Sequence, residues 1–99
     1  MENFTSKQRS NLRSIAQNIS PITQIGKGGV SEGLIETVDK ALSARELVKL
    51  SVLDNATEDA HDLANQIAEA TSSTVVCVIG RKIVLYRYST KKGVEHIEF

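Results

Sequence analysis

The spacing of apolar residues predicts three amphipathic helices. Near the start of the chain, apolar positions recur at i, i+3, i+4 and i+7, as one face of a helix requires: Leu12, Ile15, Ala16 and Ile19. Thr5 followed by Gln8 forms the pattern of a capping box at the N-terminus of this helix. Pro21 marks the point where the helix has ended.

Two further apolar stripes follow the same helical spacing. The second comprises Leu34, Ile35, Val38, Ala41 and Leu42. The third comprises Ala60, Leu63, Ala64, Ile67 and Ala68. Ser31 is a suitable N-cap for the second helix. Asn55 with Glu58 fits a capping box before the third.

Four short runs between the helices have the features of strands. Ile22 to Ile25 is the first, and Leu47 to Leu53 alternates, with Lys49 and Ser51 on one face. Thr74 to Ile79 and Ile83 to Tyr88 are joined by Gly80-Arg81-Lys82, which suits a type II′ hairpin. Both runs of this hairpin are apolar on both faces, so we expect helices on each side of the sheet over part of its area.

The element order is therefore α-β-α-β-α-β-β. It predicts an α/β fold of the two-layer α+β type with a four-stranded mixed sheet, because βαβ steps are parallel and a hairpin is antiparallel. The length of 99 residues suits one domain spanning residues 1–99. Its core covers about residues 4–88, and residues 89–99 form a tail or one more short strand.

Composition indicates a globular protein of a reducing compartment. The chain is 40% hydrophobic and 24% charged, with one cysteine, Cys77, inside an apolar run. A single cysteine permits no disulfide within the chain, and a small buried hydrophobe is favoured over a catalytic thiol. No apolar run approaches the ~20 residues of a membrane span. We expect a cytoplasmic monomer that does not bind membranes.

A glycine loop separates the first strand from the second helix. Gly26-Lys27-Gly28-Gly29-Val30-Ser31 brings a flexible backbone, a lysine and a helix N-terminus together. Backbone N–H groups and the positive end of the helix dipole can hold an anion at such a loop. The alternative is a tight turn with a solvated lysine.

Charge is unevenly distributed although its formal total is +0. Residues 54–72 hold five acidic residues and no Lys or Arg, so every basic residue lies elsewhere. The first helix carries Lys7, Arg9 and Arg13 and contains no acid. A neutral total is therefore compatible with a basic face backed by an acidic one. An ordinary solvated helix face is the alternative reading of this helix.

Four ordered motifs resemble the CRM domain, also called the YhbY-like family. Thr5-Ser6-Lys7-Gln8-Arg9 with Leu12-Arg13 resembles its basic opening helix. Pro21 through Val30 resembles its GxxG loop, with Gly26 and Gly29 as the two fixed glycines. Ala41-Leu42 with Glu46-Leu47-Val48-Lys49 is similar to the second-strand entry, and Val78 through Arg87 is similar to the closing hairpin.

This resemblance implies a fold similar to the C-terminal domain of bacterial translation initiation factor three. It also implies RNA binding and, for a stand-alone bacterial copy, association with the precursor of the large ribosomal subunit. Together with the charge pattern, it indicates the following RNA-binding residues: Lys7, Arg9, Arg13, Gly26, Lys27, Gly28, Gly29, Lys49, Arg81, Lys82 and Arg87. Because the chain has four aromatic residues and no Trp, we expect it to recognise RNA shape and backbone.

Two other function classes remain open. The acidic third helix is suited to docking a basic ribosomal or assembly protein. The glycine loop is also compatible with a nucleotide phosphate in an enzyme, but it fits neither GxGxxG nor the Walker pattern. No set of catalytic or metal-ligating residues is readable, and His61 has no partner at metal-ligand spacing. We therefore expect no enzyme, no cofactor and no metal.

Overall fold

The computed structural model describes residues 4–99. Its elements are α1 (Ser6–Ala16), β1 (Thr23–Ile25), α2 (Glu32–Arg45), β2 (Leu47–Val52), α3 (Ala60–Thr71), β3 (Thr74–Ile79) and β4 (Lys82–Tyr86). The order and the α+β class are as the hydrophobic pattern predicted. The boundaries of β1, β2 and β4 differ from the predicted ones by one or two residues.

The four strands form one mixed sheet in the order β1-β2-β4-β3. β1 and β2 are parallel, whereas β4 is antiparallel to both β2 and β3. The C-terminal ends of β1 and β2 therefore lie at the same end of the sheet as the β3–β4 turn. Two hydrogen bonds link these ends, from the Leu53 N–H to the Ile25 carbonyl at 2.8 Å and from the Val52 N–H to the Arg81 carbonyl at 2.7 Å.

The hairpin turn has the geometry that its glycine suggested. Ile79 pairs with Lys82, which leaves Gly80-Arg81 as a two-residue loop. Gly80 has φ of 57°, whereas Arg81 is not among the residues with positive φ. This combination fits a type II′ turn, in which only the first central residue has positive φ.

Helices cover both faces of the sheet. On one face, α2 and α3 pack on a cluster that includes Val48, Leu50 and Leu85. On the other face, α1 packs on Leu47 and Tyr86. Alternation along β2 explains this division, because successive strand residues point to opposite faces. The predicted helices on each side of the sheet are thus present, and α1 covers only part of its face.

The predicted N-cap residues are found at two of the three helices, α1 and α2. The Gln8 N–H donates to Thr5 Oγ1 at 3.1 Å and the Thr5 N–H donates to Gln8 Oε1 at 3.0 Å, completing the capping box. The Leu34 N–H donates to Ser31 Oγ at 3.1 Å. The prediction for α3 was wrong, because its N-cap is Asp59 rather than Asn55. Residues 53–58 instead form a loop beside the glycine turn.

The C-terminal tail is held by one buried carboxylate. Residues 89–99 form no strand, yet the tail is fixed by Glu46, whose side chain is fully buried. The Ser89 N–H and His96 Nδ1 each lie 2.7 Å from Glu46 Oε2, and the Ile97 N–H donates to Oε1 at 2.9 Å. These contacts seat Ile97 and Phe99 on the cluster beneath α1.

Glu46 also occupies an unusual backbone conformation. Its φ is 67°, a left-handed value that costs about 1–3 kcal/mol for a residue with a side chain. Its N–H donates to the Leu42 carbonyl and its carbonyl accepts from the Arg87 N–H, both at 2.9 Å. Burial of the carboxylate opposes ionisation, but the hydrogen bonds from Ser89, His96 and Ile97 together hold the pKa of Glu46 below its ordinary value.

We expect Glu46→Gln to lower the free energy of unfolding by about 1–3 kcal/mol, the range for leaving a buried donor without an acceptor. The amide keeps the shape of the carboxylate, but its NH2 group faces N–H donors. Urea unfolding measures the loss, and faster amide exchange at Ser89 and Ile97 locates it in the tail. Glu69→Gln, at an exposed carboxylate on α3, serves as the control and should change stability little.

The same carboxylate gives the stability an acid dependence of known sign. Because folding lowers its pKa from the ordinary value of 4.5, its contribution is present above that value and is lost as the pH falls through the lower folded pKa. Below pH 4.5 the wild type should therefore lose stability more steeply than Glu46→Gln. Equal steepness in the two proteins would contradict this assignment.

Candidate functional site

α1 packs on the sheet face that carries Leu47 and Tyr86, and it covers only part of that face. The rest of the face is open. Strand pairing arranges six of its side chains in two rows across three strands, Ser51–Lys82–Ile79 and Lys49–Val84–Cys77. Paired residues of neighbouring strands point to the same face. The predicted placement of Lys49 and Ser51 on one face of β2 is therefore confirmed, and Lys82 joins them from β4.

A β-bulge in β3 brings Cys77 onto this face. The register shifts between Val75 and Cys77, so that one extra residue is inserted there. Val75 and Val78 consequently pack on the α2–α3 side, while Val76 and Cys77 both pack on the α1 side. Val76 is buried among the residues that α1 covers, and Cys77 is half-buried beside it.

The last turn of α1 and the two rows enclose a cleft of about 230 Å³. We call this space the α1–sheet cleft. Its lining residues are Arg13, Ala16, Gln17, Lys49, Cys77, Ile79, Lys82 and Val84. Three of these are cations and none is acidic. Lys82 Nζ donates to Ser51 Oγ at 2.9 Å, which fixes its ammonium group across the sheet.

The electrostatics at the Cys77 thiol reflect this arrangement. Burial raises the pKa of the Cys77 thiol, and the positive charges of Arg13, Arg9 and Lys49 oppose that rise in part. With its pKa above the ordinary value, the thiol is mostly protonated at neutral pH, which is the less nucleophilic state. Two of these three cations, Arg13 and Lys49, line the cleft itself.

Arg9 and Lys7 lie toward the other end of α1. Arg9 Nη1 donates to the Val75 carbonyl at 2.9 Å and also to the Val76 carbonyl, both at the bulge of the edge strand β3. The guanidinium also lies 5.6 Å from the centre of the Phe4 ring. Arg9 is therefore partly occupied by the fold. Lys7 is exposed, about 9 Å along the helix axis from Arg13.

A common basic face would require Arg81 and Lys82 to share a surface, but their side chains lie at different sites. Arg81 Nη1 forms an ion pair of 2.6 Å with Asp54 Oδ1. The Arg81 side chain lines a depression together with Glu58 and Asp59. Turn and strand positions aim neighbouring side chains differently, so Lys82 faces α1 while Arg81 faces the acidic loop.

Arg87 is also separated from the cleft. Its Nη1 lies 2.7 Å from both Asp39 Oδ1 and the Thr71 carbonyl, and its Nη2 donates to Ser43 Oγ at 2.9 Å. These contacts join the end of β4 to α2 and α3. The structure thus gives Arg87 a role in holding the α2–α3 face and does not bring it to the α1 face.

The glycine loop forms a turn with two different kinds of glycine. The Gly29 N–H donates to the Gly26 carbonyl at 3.0 Å, and Gly29 has φ of 62°. A Cβ at Gly26 would lie 3.1 Å from Asn55 Oδ1, whereas one at Gly28 would meet nothing within 4 Å. Gly26 thus permits close packing with the loop at residues 53–58, Gly29 supplies the left-handed conformation, and Gly28 faces open space.

Two N–H groups of the loop tip are available to a ligand. Among residues 4–99, the backbone N–H groups of Lys27 and Gly28 have no hydrogen-bond acceptor. The Lys27 side chain is exposed at the same tip. The start of α2 adjoins it, with Ser31 as N-cap. Topology puts this loop at the end of the sheet where the row Ser51–Lys82–Ile79 lies.

The acidic residues divide between two places. Asp62 and Glu69 are exposed on α3, which packs on the sheet face opposite α1. Asp54 and Glu58 instead lie near the turns, where Asp54 pairs with Arg81 and a Cβ at Gly29 would be 3.7 Å from Glu58 Oε1. The acidic segment 54–72 is therefore not wholly separated from the basic residues, because Asp54 and Glu58 lie beside Arg81 and the glycine loop.

Several lining residues were not identified from the sequence. Gln17 lies just after α1, and Ile79 and Val84 were assigned to apolar strands without a face. The strand alternation gave a signal for Ser51 and Lys49. Alternation along β3 puts Ile79 on the same face as Cys77, but the hydrophobic pattern does not show that this face is the one toward α1, because the bulge turns Val75 to the other side.

The described residues offer no metal centre and no membrane span. Within residues 4–99, no group of three or more His, Cys, Asp and Glu side chains is arranged to hold a metal ion. No helix of this part of the chain has the length and apolar character needed to cross a membrane.

Comparison with known proteins gives a consistent result. Residues 4–87 match the model of the CRS1/YhbY (CRM) domain. The chain belongs to the CRM-domain family. The matched residues run from the aromatic residue before α1 to the arginine after β4, so every helix and strand of this CRM domain is included.

Named relatives and a solved structure agree with this membership. The chain is 47% identical over 86 residues to the Bacillus subtilis "Probable RNA-binding protein YqeI", covering 87% of this chain and 90% of that protein. It is 30% identical over 95 residues to an RNA-binding protein of Haemophilus influenzae, covering 96% of each. The solution structure of the hypothetical protein SAV1595 from Staphylococcus aureus, for which RNA binding has been proposed, matches with a TM-score of 0.76 at 48% identity, covering 94% and 98% of the two chains.

Proposed function

We propose that this CRM domain binds structured RNA through the α1–sheet cleft and the glycine loop. The further proposal is that its RNA is ribosomal RNA in precursors of the large subunit, where the protein assists assembly. RNA binding is supported by the names of the relatives, and the ribosomal target by the resemblance to stand-alone bacterial members of the family.

The convergence of Arg13, Lys49 and Lys82 on one cleft carries this proposal. These cations come from a helix and two strands that are distant in sequence, and no acidic side chain lines the cleft with them. Like charges brought together repel, which disfavours such a cluster unless a polyanion neutralises it. Phosphate groups of an RNA backbone fit this requirement.

The glycine loop supplies a second set of contacts. Lys27 and Gly28 offer unoccupied N–H groups, and the Lys27 ammonium group adds a full charge beside them. A loop of this kind can clamp a nucleic-acid backbone through main-chain donors, as the GxxG loop of KH domains does. Since the loop and the open row lie at one end of the sheet, a single RNA can contact both.

We expect the affinity for large-subunit ribosomal RNA to fall with salt at a slope of roughly −3 to −5 in log K against log salt, because about four to six phosphates are contacted. Arg13→Ala, Lys49→Ala and Lys82→Ala should each reduce the slope by about one unit and weaken different RNAs nearly equally. Filter binding at several salt concentrations measures these slopes.

Lys40→Ala is the matched control for these variants. Lys40 is an exposed cation on α2 that pairs with Glu36 at 2.9 Å and lies outside the cleft. Its removal should leave the slope unchanged. A wild-type slope near zero, or equal slopes for Lys40→Ala and the three cleft variants, would rule out the cleft as the phosphate-binding surface.

We expect Gly28→Asp to weaken RNA binding severalfold while Gly28→Asn does not. The two side chains have nearly the same shape, and the open space at Gly28 accommodates either without strain. Only Asp places a negative charge beside the phosphate that the loop would hold. Gly29→Asp is a poorer test, since φ at Gly29 is 62° and any Cβ there is strained. Equal affinity of the Asp and Asn variants would remove the loop from the interface.

Reversing the charge on α3 distinguishes RNA binding from the alternative function, in which α3 docks a basic protein. Asp62→Lys combined with Glu69→Lys avoids Asp59, whose side chain caps the helix. We expect the double variant to crosslink in cells to the same ribosomal RNA segments as the wild type, as read by sequencing the crosslinked sites. Loss of those crosslinks with in-vitro RNA affinity intact would instead favour docking of a basic protein on α3.

A further inference from the structure

The α1–sheet cleft has an apolar floor that extends from the core under α1 to the exposed side chain of Ile79. Ile79 is 53% exposed, the largest value among the exposed large hydrophobic residues. Beside it lie Val84, which is buried, and Cys77, which is half-buried. These three apolar side chains line the cleft together with the cations Arg13, Lys49 and Lys82.

None of the aromatic side chains is free to stack on an RNA base at this face. The rings of Phe4, Tyr86 and Phe99 contact one another edge-to-face, with centroids 5.0–5.6 Å apart. Tyr88 stacks on His96 with centroids 4.2 Å apart. An aliphatic surface is therefore what this face offers to a planar ring, and enzymes that extrude bases also hold them against apolar side chains.

The surroundings of the floor match the two halves of a nucleotide. A planar base needs an apolar contact, and Cys77, Ile79 and Val84 supply one. A phosphate needs cations within reach, which Arg13 supplies from α1 and Lys82 from β4. Gln17 contributes an amide at the wall that has no other partner among residues 4–99, so it is available to the edge of a base.

The size of the cleft limits what it can accept. Its volume of about 230 Å³ is smaller than the ~300–1,000 Å³ typical of pockets for whole small-molecule ligands. A paired duplex keeps the flat faces of its bases stacked inside and presents backbone, 2′-hydroxyls and base edges to a protein surface. One nucleotide turned out of a helix satisfies both the small volume and the mixed chemistry.

We propose that the α1–sheet cleft seats one unpaired nucleotide of the bound RNA. Its base lies on Cys77, Ile79 and Val84, and its flanking phosphates lie beside the cations at the rim. This inference rests on the RNA binding proposed above, and it names the feature of the RNA that the protein selects. The RNA contacts are then a backbone clamp at the glycine loop and a single extruded base at the cleft.

Three versions of one RNA hairpin test whether the cleft binds an unpaired nucleotide. They carry a single bulged uridine, an abasic nucleotide at the same bulge, or a fully paired stem. The wild type should bind the bulged uridine about five- to tenfold more tightly than the other two. Ile79→Ala should abolish most of this preference without changing the salt slope, because it removes apolar floor and no charge. Val94→Ala, which shortens an apolar side chain outside the cleft, should keep the preference.

A second readout reports the base directly. An aromatic ring above a methyl group shifts its NMR signal, so the methyl signals of Ile79 and Val84 should shift with the bulged uridine and not with the abasic RNA. The methyl groups of Val38 and Ile67, buried on the opposite face, serve as internal controls. Equal affinity for all three hairpins without these shifts would overturn the proposed nucleotide site but would not contradict the proposed RNA binding. Absence of binding to every hairpin at low salt would overturn the proposed function as well.

Discussion

The register between β2 and β4 decides which side chains form the core and which form the α1–sheet cleft. Leu50 pairs with Ile83 in the core, and the next pair, Ser51 with Lys82, faces the cleft. A slip of one residue would turn every side chain of a strand to the opposite face. It would bury Lys49 against α2 and α3 and expose Val48. The cost of burying a charge therefore protects the proposed binding surface together with the core.

Contacts at both ends of the strand pair keep this register. At one end, the two-residue turn at Gly80-Arg81 limits how β4 can begin, and the Val52 N–H donates to the Arg81 carbonyl. At the other end, the Glu46 carbonyl accepts from the Arg87 N–H. Glu46 also gathers the tail on its carboxylate. The strained φ at Glu46 thus lies where helix, strand and tail meet, and the surrounding hydrogen bonds over-determine it.

The basic residues that sequence reasoning treated as one group have different tasks in the structure. Arg9 satisfies carbonyls on the edge strand β3, and Arg87 joins β4 to the two helices on the far face. Arg81 is neutralised by Asp54. These arginines are the ones engaged by carbonyl oxygens or carboxylates, for which a planar guanidinium with five donors is well suited. The cleft uses two lysines and the single arginine of α1 that faces it.

The fold was predictable because its signals are local. The stripe Leu12, Ile15 and Ala16, the N-cap Ser31 and the glycine of the hairpin each act within a few residues, and the structure agrees with them. Ile19 also packs on the same cluster, although α1 ends at Ala16 and leaves Ile19 in the turn that follows. The assignment of Asn55 as a cap failed because two acceptable caps lie close together and the apolar stripe starts at Ala60, immediately after Asp59. Local rules do not choose between such neighbours.

The site was less predictable because it depends on pairing between distant strands. Lys82 lies next to Arg81 in the chain, and no local rule states that one faces α1 and the other Asp54. The bulge at Val76 is the clearest case. Strict alternation along β3 would put Val75, Cys77 and Ile79 on one face, whereas the structure turns Val75 to the α2–α3 side. A floor made of Cys77, Ile79 and Val84 exists only with the pairing register of the assembled sheet.

The neutral total charge acquires a physical meaning from this arrangement. With α3 acids on one side and the cleft cations on the other, the protein has a dipolar charge distribution without a large net charge. Long-range attraction to a polyanion is then modest, because opposite charges cancel beyond about one Debye length of ~8–10 Å. At contact distance the cleft presents cations without acidic side chains, and the glycine loop presents Lys27 and two N–H donors with Glu58 nearby. Under the proposed function, such a protein would gain its affinity after docking, from fit to a particular RNA surface, more than from general attraction to nucleic acid.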